Sequence, residues 1–356
     1  MRFQLTDEQR DLQRGIRELL AARFDREALR AAVDASPAVT PDTPPDPPSN
    51  PPSNPPSDTS SGTPSDTSAG QGARHVWAAL GEAGFFSLRL AESDGGVGLA
   101  LAEAVLVHEE AGRVLLPGPL VVSQLAAGLV KGAAEGAALV TCVDLGDPAD
   151  RAGLVGPGRT APLVAHADAA DSVLVLDGDT VGVLPAASLN AEPVRSVDPL
   201  TPLHRVRTLP AGTPVDAGAA LLRREAALLT AAQQLGSACR TLDMAVRYAR
   251  EREQFGRPIG GFQAVQHLCA EMLVRAELAR AAVYAGAATG MAVDVAAAKL
   301  LADEAAVRNA RDCLQVYGGM GFTWEADVHL YLKRAWVRAA QWQTAEQTEE
   351  LLAEAL

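Results

Sequence analysis

Tyr248-Ala249-Arg250-Glu251-Arg252-Glu253-Gln254-Phe255-Gly256-Arg257-Pro258-Ile259-Gly260-Gly261-Phe262-Gln263-Ala264-Val265-Gln266-His267 is the stretch on which the reading of this chain turns. It ends one helical pattern on positive side chains, breaks at Gly256 and Pro258, and opens a second helix whose first turn presents Phe262 and Gln263. An arginine beside a glycine that allows close backbone approach suits a phosphate or pyrophosphate. A second junction, Gln315-Val316-Tyr317-Gly318-Gly319-Met320-Gly321-Phe322, puts an amide at a helix end, followed by glycines that expose backbone groups. From the residues alone, helix caps and bundle corners explain both junctions equally well.

Outward from these junctions the chain is helical from about Gly218 to its end. Leu228, Ala231, Ala232, Leu235, Cys239, Leu242 and Val246 mark one face of the preceding helix; Val265, Leu268, Met272, Ala276 and Ala279 mark the next. Two more helices are expected, from Val293 to Val316 and from about Ala326 to the terminus. Four antiparallel helices with short connections over 213–356 read as an up-and-down bundle. The preceding stretch, 131–212, changes period. Leu139-Val140-Thr141-Cys142-Val143 and Val173-Leu174-Val175-Leu176 are short β-branched runs, and Asp177-Gly178-Asp179 turns the chain into Val181-Gly182-Val183-Leu184, a hairpin in a small all-β module.

Residues 1–130 read as a helical domain. One amphipathic helix is expected from Glu8 to Val33. Helical pattern resumes at His75, pauses at Ser93-Asp94-Gly95-Gly96-Val97-Gly98, runs from Leu99 to Arg113, and returns from Val122 to Val130. Within this domain, 36–74 collects about half of the prolines and repeats Pro47-Pro48-Ser49-Asn50, Pro51-Pro52-Ser53-Asn54 and Pro55-Pro56-Ser57-Asp58. Such a segment buries too little apolar surface to offset its ordering entropy, so a disordered insert is expected. The fold class is mainly α with a small β domain.

Lys and Arg number 31 against 44 Asp and Glu, a formal net charge of −13. Lys131, Lys299 and Lys333 are the only lysines, and no basic run stands out, so nucleic acid and anionic membrane are excluded as partners. No apolar run is long enough to span a bilayer, and Met1 to Glu8 lacks a signal-peptide core, so a cytoplasmic protein is expected. The four cysteines, Cys142, Cys239, Cys269 and Cys313, lie far apart and read as buried, reduced thiols. No metal site is expected: the bundle has no Glu-x-x-His, and Glu325 with His329 is a single pair at one-turn spacing. There is no Gly-x-Ser-x-Gly, and neither Gly95-Gly96-Val97-Gly98 nor Gly318-Gly319-Met320-Gly321 is a nucleotide-binding fingerprint.

The two junctions, in this order, resemble the signatures of the acyl-CoA dehydrogenase family: Arg-x-x-Phe-Gly-x-x-Ile followed by Phe-Gln and His, then Gln-x-x-Gly-Gly-x-Gly-Phe. Trp77-Ala78-Ala79-Leu80-Gly81-Glu82-Ala83-Gly84, the turn from Glu92 to Gly98, and Glu109-Glu110-Ala111-Gly112-Arg113 are similar to that family's N-terminal domain. The resemblance implies the order of helical domain, β domain and four-helix bundle, with FAD as cofactor and an acyl-CoA as substrate. The implied reaction takes an α-proton and a β-hydride to give a 2-enoyl-CoA, in a homotetramer or in a heterotetramer with a homologous subunit. An electron-transfer flavoprotein-type acceptor is implied as well. Arg252, Gln254, Phe255, Gly256 and Gln263, with Gln315, Gly318 and Gly319, match residues that hold the diphosphate and adenosine end of FAD across a subunit interface.

Two departures from the pattern stand out. The family's glutamate base, followed by Gly-Thr, is matched here by Gln341-Trp342-Gln343-Thr344, and neither glutamine nor an indole accepts an α-proton. Some members carry the base on the first bundle helix; the ungapped match is Ala226, and Glu225 beside it is turned by roughly 100 degrees. Glu225 is thus a weak candidate, better read as a surface or interhelical carboxylate. The short middle module also lacks the Thr-Glu-Pro and Gly-Ser-Asp segments, with Asp144-Leu145-Gly146-Asp147-Pro148 near their place. A subunit that completes a partner's site is the expectation. A self-sufficient enzyme with a displaced base and a flavin-free structural homologue are the rivals.

Overall fold

The computed structural model describes residues 5–36, 68–146 and 162–356. Most of the proline-rich expectation, and Asp147 and Pro148, lie outside them.

The amphipathic pattern at the N-terminus forms two helices rather than one, α1 (Asp7–Arg23) and α2 (Arg26–Asp34). The break has a local cause: Asp25 caps the second helix, its carboxylate accepting from the Ala28 N–H at 2.9 Å. The next helix, α3 (Ser68–Glu82), begins inside the segment expected to be an insert. It is followed by α4 (Leu101–Arg113) and by α5 (Leu120–Leu125), which is earlier and shorter than the expected Val122 to Val130.

The middle module holds two sheets. One has the order β1 (Val140–Asp144), β3 (Ser172–Asp177), β4 (Thr180–Pro185), β7 (Thr213–Pro214); the other has β2 (Leu163–Ala165), β6 (Leu203–Thr208), β5 (Asn190–Val194). The Asp177-Gly178-Asp179 turn does join antiparallel β3 and β4, with Asp177 opposite Thr180. Strands β1 and β3 pair in parallel, so the module is not a plain meander.

The bundle is built from α6 (Ala219–Glu251), α7 (Gln263–Thr289) and α8 (Ala292–Tyr317). The expected last helix is two, α9 (Val328–Ala339) and α10 (Ala345–Glu354), parted at Gln341-Trp342-Gln343. One core joins the N-terminal helices to the bundle, from Leu20 and Val33 through Trp77 and Phe86 to Leu228, Met272 and Leu330. Helices α4 and α6 cross with glycine against backbone: a methyl on Gly112 would lie 2.1 Å from the Gln233 carbonyl oxygen, and one on Gly236 would lie 1.9 Å from that of Glu109.

Three buried polar links fasten this core. Glu109 accepts from Arg280 Nη1 and Tyr284 Oη, both at 2.8 Å, tying α4 to α7. Asp198, fully buried in the module, pairs with Arg334 of α9. His108 lies between two glutamines: Gln124 Nε2 donates to the Phe85 carbonyl, so its Oε1 accepts from His108 Nε2–H at 2.8 Å, and Gln233 donates to His108 Nδ1 at 3.0 Å. This arrangement holds the imidazole neutral, and burial pushes its pKa down to about 4.

The folded state therefore binds fewer protons at this site than the unfolded chain. The stabilisation is complete above the unfolded pKa of about 6.5 and is lost as pH falls toward 4, roughly 3 kcal/mol in all. Urea titrations at pH 6.5 and 4.5 are expected to show a steeper loss for the wild type than for His108→Gln; equal slopes would show that the histidine is hydrated.

Candidate functional site

The two sequence junctions meet at one end of the bundle. Helix α6 closes at Arg252, whose N–H donates to the Tyr248 carbonyl at 2.8 Å, and the chain makes a two-residue hairpin. Strands β8 (Glu253–Gln254) and β9 (Arg257–Pro258) pair around Phe255 and Gly256, at φ 53° and 76°. Two positive φ values in a two-residue loop are what an antiparallel hairpin demands, and they account for the glycine. Phe255 is 92% exposed at the tip, its ring edge-on to Phe262, and the Arg257 guanidinium lies 4.2 Å over the Phe262 ring. Gly318 ends α8 at φ 60°. Tyr248 and Tyr317, stacked with centroids 4.1 Å apart, join the two junctions directly.

Every residue matched to the diphosphate end faces outward: Arg252, Gln254, Phe255, Gly256, Gln263, Gln315, Gly318 and Gly319 are exposed. A methyl on Gly256, Gly318 or Gly319 would meet nothing within 4 Å. Among the described residues the Arg252 side chain forms no ion pair. An open face with a free guanidinium, amides and bare backbone fits the anionic end of a dinucleotide supplied from outside this chain.

The positions matched to a base lie at the other end of the bundle. From Glu225 to Arg252, α6 rises about 40 Å. Glu225 is buried, and its carboxylate accepts two hydrogen bonds from Arg89, at 2.6 and 2.7 Å. It is a structural carboxylate that ties α6 to the turn after α3, with both oxygens engaged. Gln341 and Trp342 are half-buried in the seam between bundle and module, where Trp342 packs against both cores. Nearby, Arg223 of α6 donates to Asp144 and to the Gly178 carbonyl of the module. Among the described residues, Glu225 is engaged by Arg89 and the half-buried Trp342 indole stands at the position matched to the family's base, so neither position supplies a free carboxylate beside a flavin ring.

Glu325 is exposed, and the His329 ring stacks on Trp324. Cys239 and Cys313 are buried, while Cys142 and Cys269 are only half so; all four are free thiols. Sequence reasoning missed Arg89, as well as Lys299, which is fully buried and bonded to Asp303 and to the Arg338 and Gln343 carbonyls. The signal for Lys299 was present: in a chain with three lysines, one stands in the apolar run Ala296-Ala297-Ala298-Lys299-Leu300-Leu301.

Family models for the acyl-CoA dehydrogenase N-terminal domain and C-terminal domain match residues 65–135 and 222–354. The chain belongs to the acyl-CoA dehydrogenase family. Acyl-CoA dehydrogenase IpdE2 of Mycolicibacterium smegmatis is 36% identical over 264 residues, 73% of this chain and 81% of the relative. Acyl-CoA dehydrogenase FadE34 of Mycobacterium tuberculosis is 37% identical over 278 residues, 74% of this chain but 39% of FadE34. The chain thus spans well under half of that relative's length.

Among solved structures, the ChsE4-ChsE5 complex from Mycobacterium tuberculosis superimposes with TM-score 0.75 at 24% identity, covering 99% of this chain and 98% of the other. The Tcur3481-Tcur3483 steroid acyl-CoA dehydrogenase G363A variant gives 0.75 at 23% identity, with coverages of 98% and 97%. These acyl-CoA dehydrogenases share the fold of helical domain, small β region and helical bundle. FAD is the cofactor of the family. Among the described residues no helix is long and apolar enough to cross a membrane.

Proposed function

We propose that this chain is the base-lacking subunit of a heteromeric, FAD-dependent acyl-CoA dehydrogenase. A homologous partner supplies the carboxylate and the flavin-ring pocket, and an electron-transfer flavoprotein-type acceptor takes the electrons. One observation carries the reading: Gln341 and Trp342 stand where the family's base is matched, and the other candidate, Glu225, has both oxygens engaged by Arg89, while the outward-facing diphosphate residues lie about 40 Å away along α6. That separation supports a hairpin that serves a cofactor whose ring lies in another subunit. Bound FAD supplies the hydride acceptor. Arg252, Gln254 and Gln263 orient its charged end, and the Gly318-Gly319 backbone gives it room. The names of the ChsE4-ChsE5 complex and of the steroid variant support a two-chain assembly and a bulky acyl-CoA.

Co-expression with a homologous partner is the test. The complex is expected to carry flavin absorbance and to oxidise acyl-CoAs, while the chain alone does not. Losing a charge-assisted hydrogen bond costs about 1.5–3 kcal/mol. Arg252→Ala is therefore expected to weaken flavin retention by the complex about ten- to a hundredfold, measured as absorbance remaining after dialysis. Turnover by the isolated chain would support self-sufficiency instead, and a flavin-free complex would support a structural role.

A further inference from the structure

Trp342 has φ 66°, in the left-handed region that a bulky side chain avoids and a glycine adopts freely. Such an outlier persists only where its surroundings over-determine it, and here both flanks are fixed. On one side, the Ala340 and Gln341 N–H groups donate to the Val337 and Arg338 carbonyls. On the other, the buried Lys299 ammonium donates to the Gln343 carbonyl at 3.1 Å, and Thr344 and Gln347 cap α10 reciprocally. The same fully buried ammonium pairs with Asp303 and bonds the Arg338 carbonyl, so one lysine holds both sides of the break. Its effect is to press the indole into the seam, against the bundle core on one side and the module core on the other.

Seams between domains are where small-molecule sites form. Two ion pairs join bundle to module across this seam, Arg223 with Asp144 and Arg334 with Asp198. We infer that Trp342 is a stopper. Its indole occupies a flat apolar slot, and this chain takes no acyl thioester of its own because the slot is full. The inference builds on the proposed function, and it assigns to one side chain the emptiness of this chain's own site.

The test uses the full chain purified alone, with octanoyl-CoA and indole as probes. Trp342→Gly relieves the left-handed backbone and removes a side chain larger than the roughly 150 Å³ cavity known to admit benzene. It is expected to bind indole, seen as a rise in the unfolding midpoint, and to bind octanoyl-CoA by calorimetry at least tenfold more tightly than the wild type. A folded Trp342→Gly that takes indole but gains no octanoyl-CoA binding would overturn the stopper role and leave Trp342 as ordinary packing. Equal octanoyl-CoA binding by the wild type would overturn it as well. Should the glycine variant not fold, Trp342→Leu, which keeps part of the packing, is expected to show a smaller gain of the same sign; no gain there is equally fatal. An inactive complex with the partner would sink the proposed function without touching these binding results.

Discussion

Asp198→Ala is expected to destabilise the protein by about 3–5 kcal/mol, the range for stranding one partner of a buried ion pair. Arg334, with its side chain 4% exposed, would lose its carboxylate. Arg338 stands one turn along the same helix, also buried, and its closest contacts are the Gln233 carbonyl and Ser237 Oγ at 3.5 Å. Removing Asp198 therefore leaves two buried guanidiniums, one turn apart, without its charge. Urea unfolding would measure the loss. The double variant Asp198→Ala with Arg334→Met is expected to recover most of it, because replacing a buried pair by apolar groups is often neutral. A single-variant loss below about 1 kcal/mol would mean that water reaches the pair.

Gly236→Ala is the second large effect, and its sign is decided by two opposed terms. In a free helix alanine is favoured over glycine by roughly 1 kcal/mol. Here the added methyl would sit 1.9 Å from the Glu109 carbonyl oxygen and 2.9 Å from the Arg113 nitrogen, both of them backbone atoms of α4 that no rotamer change moves. Overpacking of this kind costs about 1–3 kcal/mol or more, so a net loss near the upper end is expected. The neighbouring Glu109 pair with Arg280 would be displaced along with it. Gly15→Ala on α1, where a methyl meets nothing within 4 Å, is the control and is expected to be neutral or stabilising. Comparable unfolding midpoints for the two variants would contradict the close crossing.

The bundle was legible because its apolar residues recur at helical spacing and its corners carry glycine and proline. The breaks at Gly256 and Gly318 followed from residue types alone, whereas the hairpin did not, because Phe255 takes a positive φ that its residue type does not announce. Less was legible where a single residue overrode the pattern. Asp25 splits the first helix through a cap that lies inside a continuous amphipathic run. The break at Trp342 has no turn residue to announce it, because a buried lysine 43 positions earlier holds it in place. The site was half legible. The exposed end is local in sequence, whereas Arg89 with Glu225 and Asp198 with Arg334 each join residues 136 apart, and no spacing rule pairs them.

The single helix that runs from the seam to the hairpin is also a lever. Over a rise of about 40 Å, a tilt of only two degrees at the Glu225 end would move the hairpin tip by roughly 1.4 Å, and misplacing reacting groups by about 1 Å can cost a hundredfold in rate. A subunit that contributes to chemistry by reaching into its neighbour must therefore be stiff before it is anything else. If the proposed function holds, the bare glycine contacts between α4 and α6 are a bearing, holding the lever at the one radius from which its far end stays in register with the partner's chemistry.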